Sequence, residues 1–509
     1  MRNLRTSRIL LGVAVILVLG GLYGLGGVKH SIALAGGPAV PPVRSEAVTS
    51  VTRACASPGW AGGAGGGIAL MAAPANAGTG RAVVNRLAAA GSTTGGARLF
   101  SLAQPGYVQL SGIRTDTGAS GHVQQASGQG VATTPALGGV VVRATGVMAQ
   151  GLEVEQTAAG GLPTASCGSP GTDFWFVGPG QHSVPRIELF LMNPSGQAAD
   201  ADVDVFTDAG PLQGSTDTGI TVPPHGMVVQ LLAPLVHGSR SVTLHVRTSA
   251  GQVVAAVQES TGAGPGAWLP AAQAPATRLV LPGLPNTAGA RQLYVAVPGV
   301  QDAKIKLEAV TSRGSYEPTG AGGLDIPGGS AANLTLPSLG GIPAALKLTS
   351  NVPVTAVAMA TGGPAGAPGA FTAAAPAIQE QGVVADALAA AGRVSSLVLS
   401  APRAAARVRV VEAAPGGSAN SSARQNVRVV HVAAGHSVVL PLATVPGSPK
   451  GSAFAVVITP LPGSGPVYAG RVIVGSGAGG VLQAILPVAS ALTSVPLPPV
   501  RNSFLTTVP

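Results

Sequence analysis

Charged and aromatic side chains are scarce in this sequence, and both shortages exclude classes of protein. Only 9% of the 509 residues are charged and 3% are aromatic, whereas about 25% of a typical soluble domain is charged. A nucleic-acid-binding surface needs clustered Lys and Arg with aromatics between them, but the 29 basic residues are spread singly along the chain. We therefore expect no nucleic-acid partner. The net charge of +10 indicates only a weak, nonspecific attraction to anionic envelope polymers.

The low charge also argues against long disordered regions, despite 74 glycines and 43 prolines. Disordered chains are rich in charge and poor in β-branched residues, whereas 46% of this chain is hydrophobic. Its length is sufficient for several domains, each with a hydrophobic core of its own.

One uncharged run near the N-terminus suits a membrane helix. Residues 9–28, ILLGVAVILVLGGLYGLGGV, follow three arginines, and about 20 apolar residues suffice to cross a bilayer. By the positive-inside rule, residues 1–8 are predicted to be cytoplasmic, residues 9–28 a signal-anchor helix, and residues 29–50 an extracytoplasmic linker. The alternative is a secretory signal cleaved after Ala35, at the A-x-A pattern Ala33-Leu34-Ala35. The protein is thus expected to be single-pass with its bulk outside the cytoplasm, or secreted.

Strand-like segments recur at intervals of about one hundred residues, the usual length of an immunoglobulin-like domain. A first strand begins near Arg186, Arg291 and Ser395, and each copy continues with a second strand, a strand–turn–strand and a closing hairpin. A further copy of the hairpin begins at Val140. Apolar and polar residues alternate along these segments, which is typical of half-buried strands.

This pattern predicts an all-β fold of tandem immunoglobulin-like β-sandwich modules after one N-terminal transmembrane helix. The predicted modules are residues 51–163, which are irregular and rich in Ala and Gly, residues 164–272, residues 273–376, and residues 377–509, which end in a Pro-rich tail. Helical periodicity beyond the anchor is weak and confined to residues 83–90 and 384–391.

The two cysteines, Cys55 and Cys167, begin copies of one motif, C-x-S-P-G. An even number of cysteines in an exported protein favours a disulfide, and the two similar positions favour a bond between modules. A redox-active or nucleophilic thiol is the alternative interpretation.

Other candidate sites fail on spacing. Asp200, Asp202 and Asp204 resemble the start of a calcium loop, but Val205 and Pro211 stand where that loop needs Gly and Glu. Period two therefore predicts a solvated strand face. The G-x-G-x-x-G match in residues 475–480 lacks a following acidic residue, and His431 and His436 lack a third ligand nearby. We predict no catalytic residues, no cofactor and no metal.

Three tryptophans, Trp60, Trp175 and Trp268, could stack on sugars if they are exposed, although packing beside turns is their more ordinary role. A glycan-binding array is therefore one alternative function. An envelope hydrolase with dispersed carboxylates is another, although no pair of acidic residues stands out in the sequence.

The segment CGSPGTDFWFVGPG, with RIELFLMNPSG after it and PVTAVAM further on, resembles domain-of-unknown-function family 5719, whose members are actinobacterial secreted or membrane-anchored proteins. The resemblance implies an envelope location and no catalysis. The sequence thus predicts a non-enzymatic, membrane-anchored envelope protein, acting as a structural spacer or as a docking platform for envelope proteins or anionic polymers.

Overall fold

The computed structural model is all-β, and none of the residues that it describes lies in an α-helix. These residues are 44–56, 66–89, 98–113, 122–124, 138–157, 164–212, 219–232, 234–260, 266–287, 289–320, 322–337, 339–362, 369–388, 393–414, 425–442, 445–446, 448, 452–477 and 480–497.

The predicted membrane helix of residues 9–28 and the cytoplasmic residues 1–8 lie outside this part of the chain. In the part that is described, no helix is long and apolar enough to cross a bilayer.

The chain divides into two compact units. Residues 47–495 form one, which we call the body. Residues 1–46 and 496–509 form the other, in which the Leu497 amide donates a 2.7 Å hydrogen bond to the Arg44 carbonyl.

The strands fall into four groups, which we call repeats A to D. After β1 (Ser45–Ala47), repeat A contains β2 (Ser50–Cys55), β3 (Gly66–Ala72), β4 (Gly80–Ala89), β5 (Arg98–Leu102), β6 (Gly106–Ile113), β7 (His122–Gln124), β8 (Gly139–Gly146), β9 (Glu153–Thr157) and β10 (Thr164–Ser166). Repeat B contains β11 (Asp173–Pro179), β12 (Arg186–Met192), β13 (Ala199–Thr207), β14 (Gly210–Pro211), β15 (Ile220–Val222), β16 (Gly226–Leu231), β17 (Ser241–Ala250), β18 (Val254–Ser260) and β19 (Ala267–Leu269).

Repeats C and D follow directly. Repeat C contains β20 (Ala276–Leu284), β21 (Arg291–Val297), β22 (Ala303–Thr311), β23 (Gly314–Tyr316), β24 (Gly322–Ile326), β25 (Ser330–Leu336), β26 (Ala344–Thr361) and β27 (Gly369–Ala373). Repeat D contains β28 (Gly382–Leu388), β29 (Arg393–Ala401), β30 (Ala406–Ala413), β31 (Gln425–Val432), β32 (His436–Leu442), β33 (Ala453–Pro460), β34 (Tyr468–Gly477) and β35 (Gly480–Pro487), and β36 (Ser494–Pro496) comes last.

All four repeats share one antiparallel pairing scheme. In repeat B the strand orders are β11-β17-β13-β15 and β19-β18-β12-β16, and in repeat D they are β28-β33-β30-β31 and β35-β34-β29-β32. Repeat A follows the same scheme, with β2-β8-β4-β5 and β10-β9-β3-β6. The predicted first strands near Arg186, Arg291 and Ser395 lie in β12, β21 and β29, which occupy equivalent places in this scheme.

Repeat C fills two places of the scheme with one strand. β26 is 18 residues long; its first part pairs with β20 and β22, and its second part pairs with β21 and β27. The corresponding closing segments of repeats B and D each form two strands joined by a turn.

Each repeat has its own hydrophobic cluster, and further clusters join neighbouring repeats. Repeats A and B share a cluster that includes Val141 and Phe190, and a short parallel pairing of β4 with β16 links their sheets. Tyr294 and Phe371 of repeat C join the cluster of repeat B. Repeat C meets repeat D where Gly283 lies against Gly470.

The fourth interface closes the body, because repeat D also packs on repeat A. Met71 and Tyr107 of repeat A share a cluster with Val411 and Val457 of repeat D. The two ends of the body meet nearby, where the Val48 amide donates a 2.9 Å hydrogen bond to the Thr493 carbonyl. The repeats therefore form a closed set, in which each packs against two others.

The two weakly helical segments are strands, and the helical interpretation of them is wrong. Residues 83–90 fall largely in β4 and residues 384–391 largely in β28. Alanine favours helices in isolation, but here pairing of β4 with β8 and of β28 with β33 decides the backbone conformation.

Candidate functional site

A cavity of about 380 Å³ opens where the four repeats meet, and residues from every repeat line it. Cys55 and Phe176 represent repeats A and B in its wall, and Leu486 represents repeat D. Ala374, immediately after β27, comes from repeat C. The wall is mostly alanine, proline and larger apolar side chains, with a few polar groups among them. Such a composition is typical of sites that bind small molecules.

The disulfide between Cys55 and Cys167 lies in this wall. Cys55 ends β2, and Cys167 follows β10 on the connection to repeat B. The segments at the two cysteines lie side by side, because Ala54 and Gly168 exchange backbone hydrogen bonds of 2.9 and 3.0 Å. Both cysteines are buried, so the bond joins the first strand of repeat A to the start of the following repeat.

An ion pair supplies the charge at the cavity. Arg53 Nε lies 3.7 Å from Glu153 Oε2, and Arg53 Nη2 donates a 3.2 Å hydrogen bond to the Leu152 carbonyl. Burial raises the pKa of the Glu153 carboxyl, and the charge of Arg53 opposes that rise. Both groups are thus engaged with each other, and Arg53 is also bonded to the backbone of the fold.

A second buried charge cluster lies between repeats A and D. Arg471 and Glu155 are fully buried, with Arg471 Nη1 3.5 Å from Glu155 Oε2. The guanidinium also donates hydrogen bonds to the Asp386 carbonyl and to Thr164 Oγ1, and the Ala385 amide donates one of 2.6 Å to Glu155 Oε1. Thr164 is also part of the cavity wall, so the two regions adjoin.

Three acidic groups in this cluster crowd one another. Burial is the largest cause that raises the pKa of Glu155, to about 8; Arg471 opposes the rise, while Asp386 and Glu153 add to it. The pKa of the Tyr107 hydroxyl is also raised, by burial first and then by the charges of Asp386 and Glu155. Within this cluster the Arg471–Glu155 pair is fully buried, and it acts as a polar lock between repeats A and D.

The sequence patterns do not identify this lock. Glu155, Asp386 and Arg471 are far apart in the chain. Asp386 and Arg471 each lie in a strand that is otherwise largely apolar, whereas the strand of Glu155 is mostly polar. A single charged residue in such a strand is the one signal that could have indicated a buried partner.

The two described tryptophans, which could have stacked on sugars if exposed, are largely buried. Trp175 is 6% exposed and stacks on the His245 ring at a centroid distance of 3.8 Å. Trp268 is 8% exposed, packs against Phe190, and lines the cavity. Trp60 lies outside the described residues.

The aspartates of β13 lie on the more accessible face of the strand, where burial alternates along its whole length. Asp204 Oδ2 lies 2.8 Å from Arg247 Nη2, and Asp200 accepts a hydrogen bond from the Thr221 hydroxyl. The described residues contain no group of three or more His, Cys, Asp or Glu side chains that could hold a metal ion.

These features define an all-β protein of four interlocked repeats around a shared cavity. A family of unknown function, DUF5719, matches residues 121–443. The chain belongs to this family. No curated protein matches the sequence.

Two solved structures match most of the chain at low similarity. A structure of infectious bursal disease virus, Gt strain, is 10% identical, covers 92% of this chain and 86% of its own, and has a TM-score of 0.10. A protein described as membrane-anchored from Corynebacterium diphtheriae is 11% identical, covers 88% of this chain and 96% of its own, and has a TM-score of 0.08. Neither similarity is strong enough to carry an inference about fold or function.

Proposed function

We propose that this chain is a non-enzymatic protein of the cell envelope, whose repeats form a rigid docking platform outside the cytoplasm. An N-terminal helix of residues 9–28 holds it in the membrane, or cleavage after Ala35 releases it. The repeats are immunoglobulin-like β-sandwiches, and the protein is one of an actinobacterial group of secreted or anchored proteins.

The observation that carries this proposal is the interlocking of the four repeats. The disulfide between Cys55 and Cys167, the Arg471–Glu155 pair and the hydrophobic clusters between repeats each join residues far apart in sequence. A body joined in this way presents fixed surfaces, which suits docking. The closed packing gives little extension, which favours a platform over a spacer.

The test is photo-cross-linking of the full-length chain in its native envelope, combined with deletion of the gene. We expect defined envelope proteins or polymers to be captured at exposed positions, and deletion to alter envelope behaviour. The control is the R471M variant, in which loss of the lock should reduce capture in proportion to the loss of folded protein. Absence of any captured partner, together with a wild-type envelope after deletion, would refute the platform.

Binding of a cell-wall glycan is a second candidate, because Trp268 lines the cavity beside amide and hydroxyl groups such as Gln273 and Ser166. An aromatic face with convergent polar groups is suited to a sugar. Purified cell-wall glycan should then bind the full-length chain, and W268F should weaken binding while W175F does not. Equal binding by the two variants contradicts this candidate.

An envelope hydrolase is the less favoured alternative. Glycoside hydrolysis needs two carboxyl groups that both reach the substrate. In the described part of the cavity wall, Glu153 is the acidic residue, and it is paired with Arg53.

A further inference from the structure

One edge of repeat D combines exposed valines with basic side chains. β31 is the last strand of the sheet β28-β33-β30-β31, and β30 is its one neighbour among the described strands. Val427 and Val429 are 47% and 53% exposed, and His431 is also exposed on the same side of the strand. Charges or proline usually protect free strand edges from pairing, but two of the three exposed side chains of β31 are valines.

The neighbouring strand adds positive charge to the same face. Arg407 lies opposite His431, and Arg409 lies opposite Val429. Arg407 is exposed and Arg409 is half-buried. In the described part of the chain, neither guanidinium forms an ion pair. Val411 and Val427 are the next pair in register. The exposed basic face ends there, because Val411 is buried against repeat A.

No described carboxylate of repeat D neutralises this face. Residues 377–509 contain nine basic residues and three acidic ones. Each acidic residue is already bonded: Glu380 to Thr493 and Ser494, Asp386 to Thr157, and Glu412 to Arg428 and Asn426.

We propose that β31 receives an extended acidic segment of another envelope protein as an added β-strand. Backbone hydrogen bonds at a free edge would supply affinity without regard to sequence, and side chains on the facing surface would supply specificity. Because alternate residues of a strand share one face, one row of the ligand would carry apolar residues over Val427 and Val429 and carboxylates that reach Arg407, Arg409 and His431. The two exposed valines favour a polypeptide over a purely anionic polymer, which would gain nothing from them.

This inference rests on the proposed docking function and names the partner chemistry. The probe is an eight-residue peptide, equal in length to β31, that carries Val and Glu in every second position, on one face, and Ser in the others. It is titrated against the full-length chain by fluorescence anisotropy. The double variant R407E/R409E should weaken binding at least tenfold, because like charges across an interface oppose association. The control R278E/R313E changes two exposed arginines of repeat C by the same charge and should leave binding unchanged.

The V429K variant separates strand addition from simple charge attraction. Strand addition predicts weaker binding of the peptide, because lysine replaces an apolar contact and protects the edge. An anionic polymer would bind V429K more tightly, and polyglutamate serves as that probe. The proposed strand addition is overturned if V429K binds the peptide more tightly, if R407E/R409E and the wild type bind it equally, or if no peptide binds at all. The peptide titration thus tests whether β31 binds an acidic strand, whereas cross-linking in the envelope tests whether the protein docks envelope partners.

Discussion

The guanidinium of Arg471, on β34 of repeat D, lies 3.5 Å from the carboxylate of Glu155, on β9 of repeat A, and neither side chain is exposed. Removing one member of a buried pair leaves the other charge without compensation, which typically costs about 3–5 kcal/mol. Because the pKa of Glu155 is raised to about 8, this cost applies above pH 8, where Glu155 is charged, and there we expect R471M to lower the free energy of unfolding by this amount.

The double variant R471M/E155Q is the matched control for that prediction. It removes both charges, so it should be more stable than R471M alone. Denaturant unfolding of the full-length chain measures both. An R471M chain as stable as the wild type would show that the pair is not a lock.

Glu155 should make stability depend on pH. Its pKa is raised from the ordinary value of 4.5 to about 8, so the folded chain keeps a proton that the unfolded chain loses as pH rises above 4.5. The favourable contribution is complete below pH 4.5 and declines up to pH 8, by about 1.4 kcal/mol per pH unit at most. E155Q should remove this decline.

The measurement for Glu155 is the difference in unfolding free energy between E155Q and wild type at a series of pH values. We expect the free energy of unfolding of E155Q, relative to that of the wild type, to increase from about pH 5 to pH 8. Taking the difference removes the contributions of other buried carboxyls, which are the same in both chains. One of these is Glu259, because burial also raises its pKa. A difference that stays constant with pH would contradict the assignment to Glu155.

The disulfide should contribute to stability through its long loop. Cys55 and Cys167 are 112 positions apart, and a loop of that size is expected to stabilise by about 4–5 kcal/mol in the chain-entropy model. We expect C55S/C167S to unfold at lower denaturant concentration. A reducing agent should destabilise the wild type and leave the double variant unchanged, and no effect on either chain would contradict the prediction.

Two glycines set the distance between repeats C and D. A Cβ added at Gly470 would lie 2.6 Å from the Gly283 Cα, and Gly283 has a φ of +85°. G470A should therefore separate the backbones and cost about 1–3 kcal/mol. G299A is the control, because nothing lies within 4 Å of its added Cβ, and its melting temperature should stay close to that of the wild type.

Period-two alternation predicted strands such as β13 and β22, where one face is buried and the other is more accessible. Alternation predicted less of β28, because every residue from Gly382 to Ala387 is buried. Repeat A matched the others poorly in sequence, yet it has their pairing scheme. Strand pairing tolerates many side chains, so the scheme persists where the sequence pattern fades.

The sequence predicted less of the candidate site than of the fold. Cys55 and Cys167 could be paired by counting, because the sequence contains two cysteines. The Glu155, Asp386 and Arg471 cluster depends on the contact between repeats A and D, and periodicity within one strand carries no information about such a contact. The cavity depends on how four repeats pack around one point, which is also a long-range property.

The meeting of Val48 with Thr493 has a consequence for chain connectivity. The ends of the body are adjacent, and the first and last repeats pack together. The same packing could therefore form from a chain that begins at a different repeat. A circularly permuted chain, joined by a short linker between residues 48 and 493 and reopened between repeats B and C, would have the same neighbours throughout. The connections between repeats thus determine where the chain begins and ends more than which repeats touch.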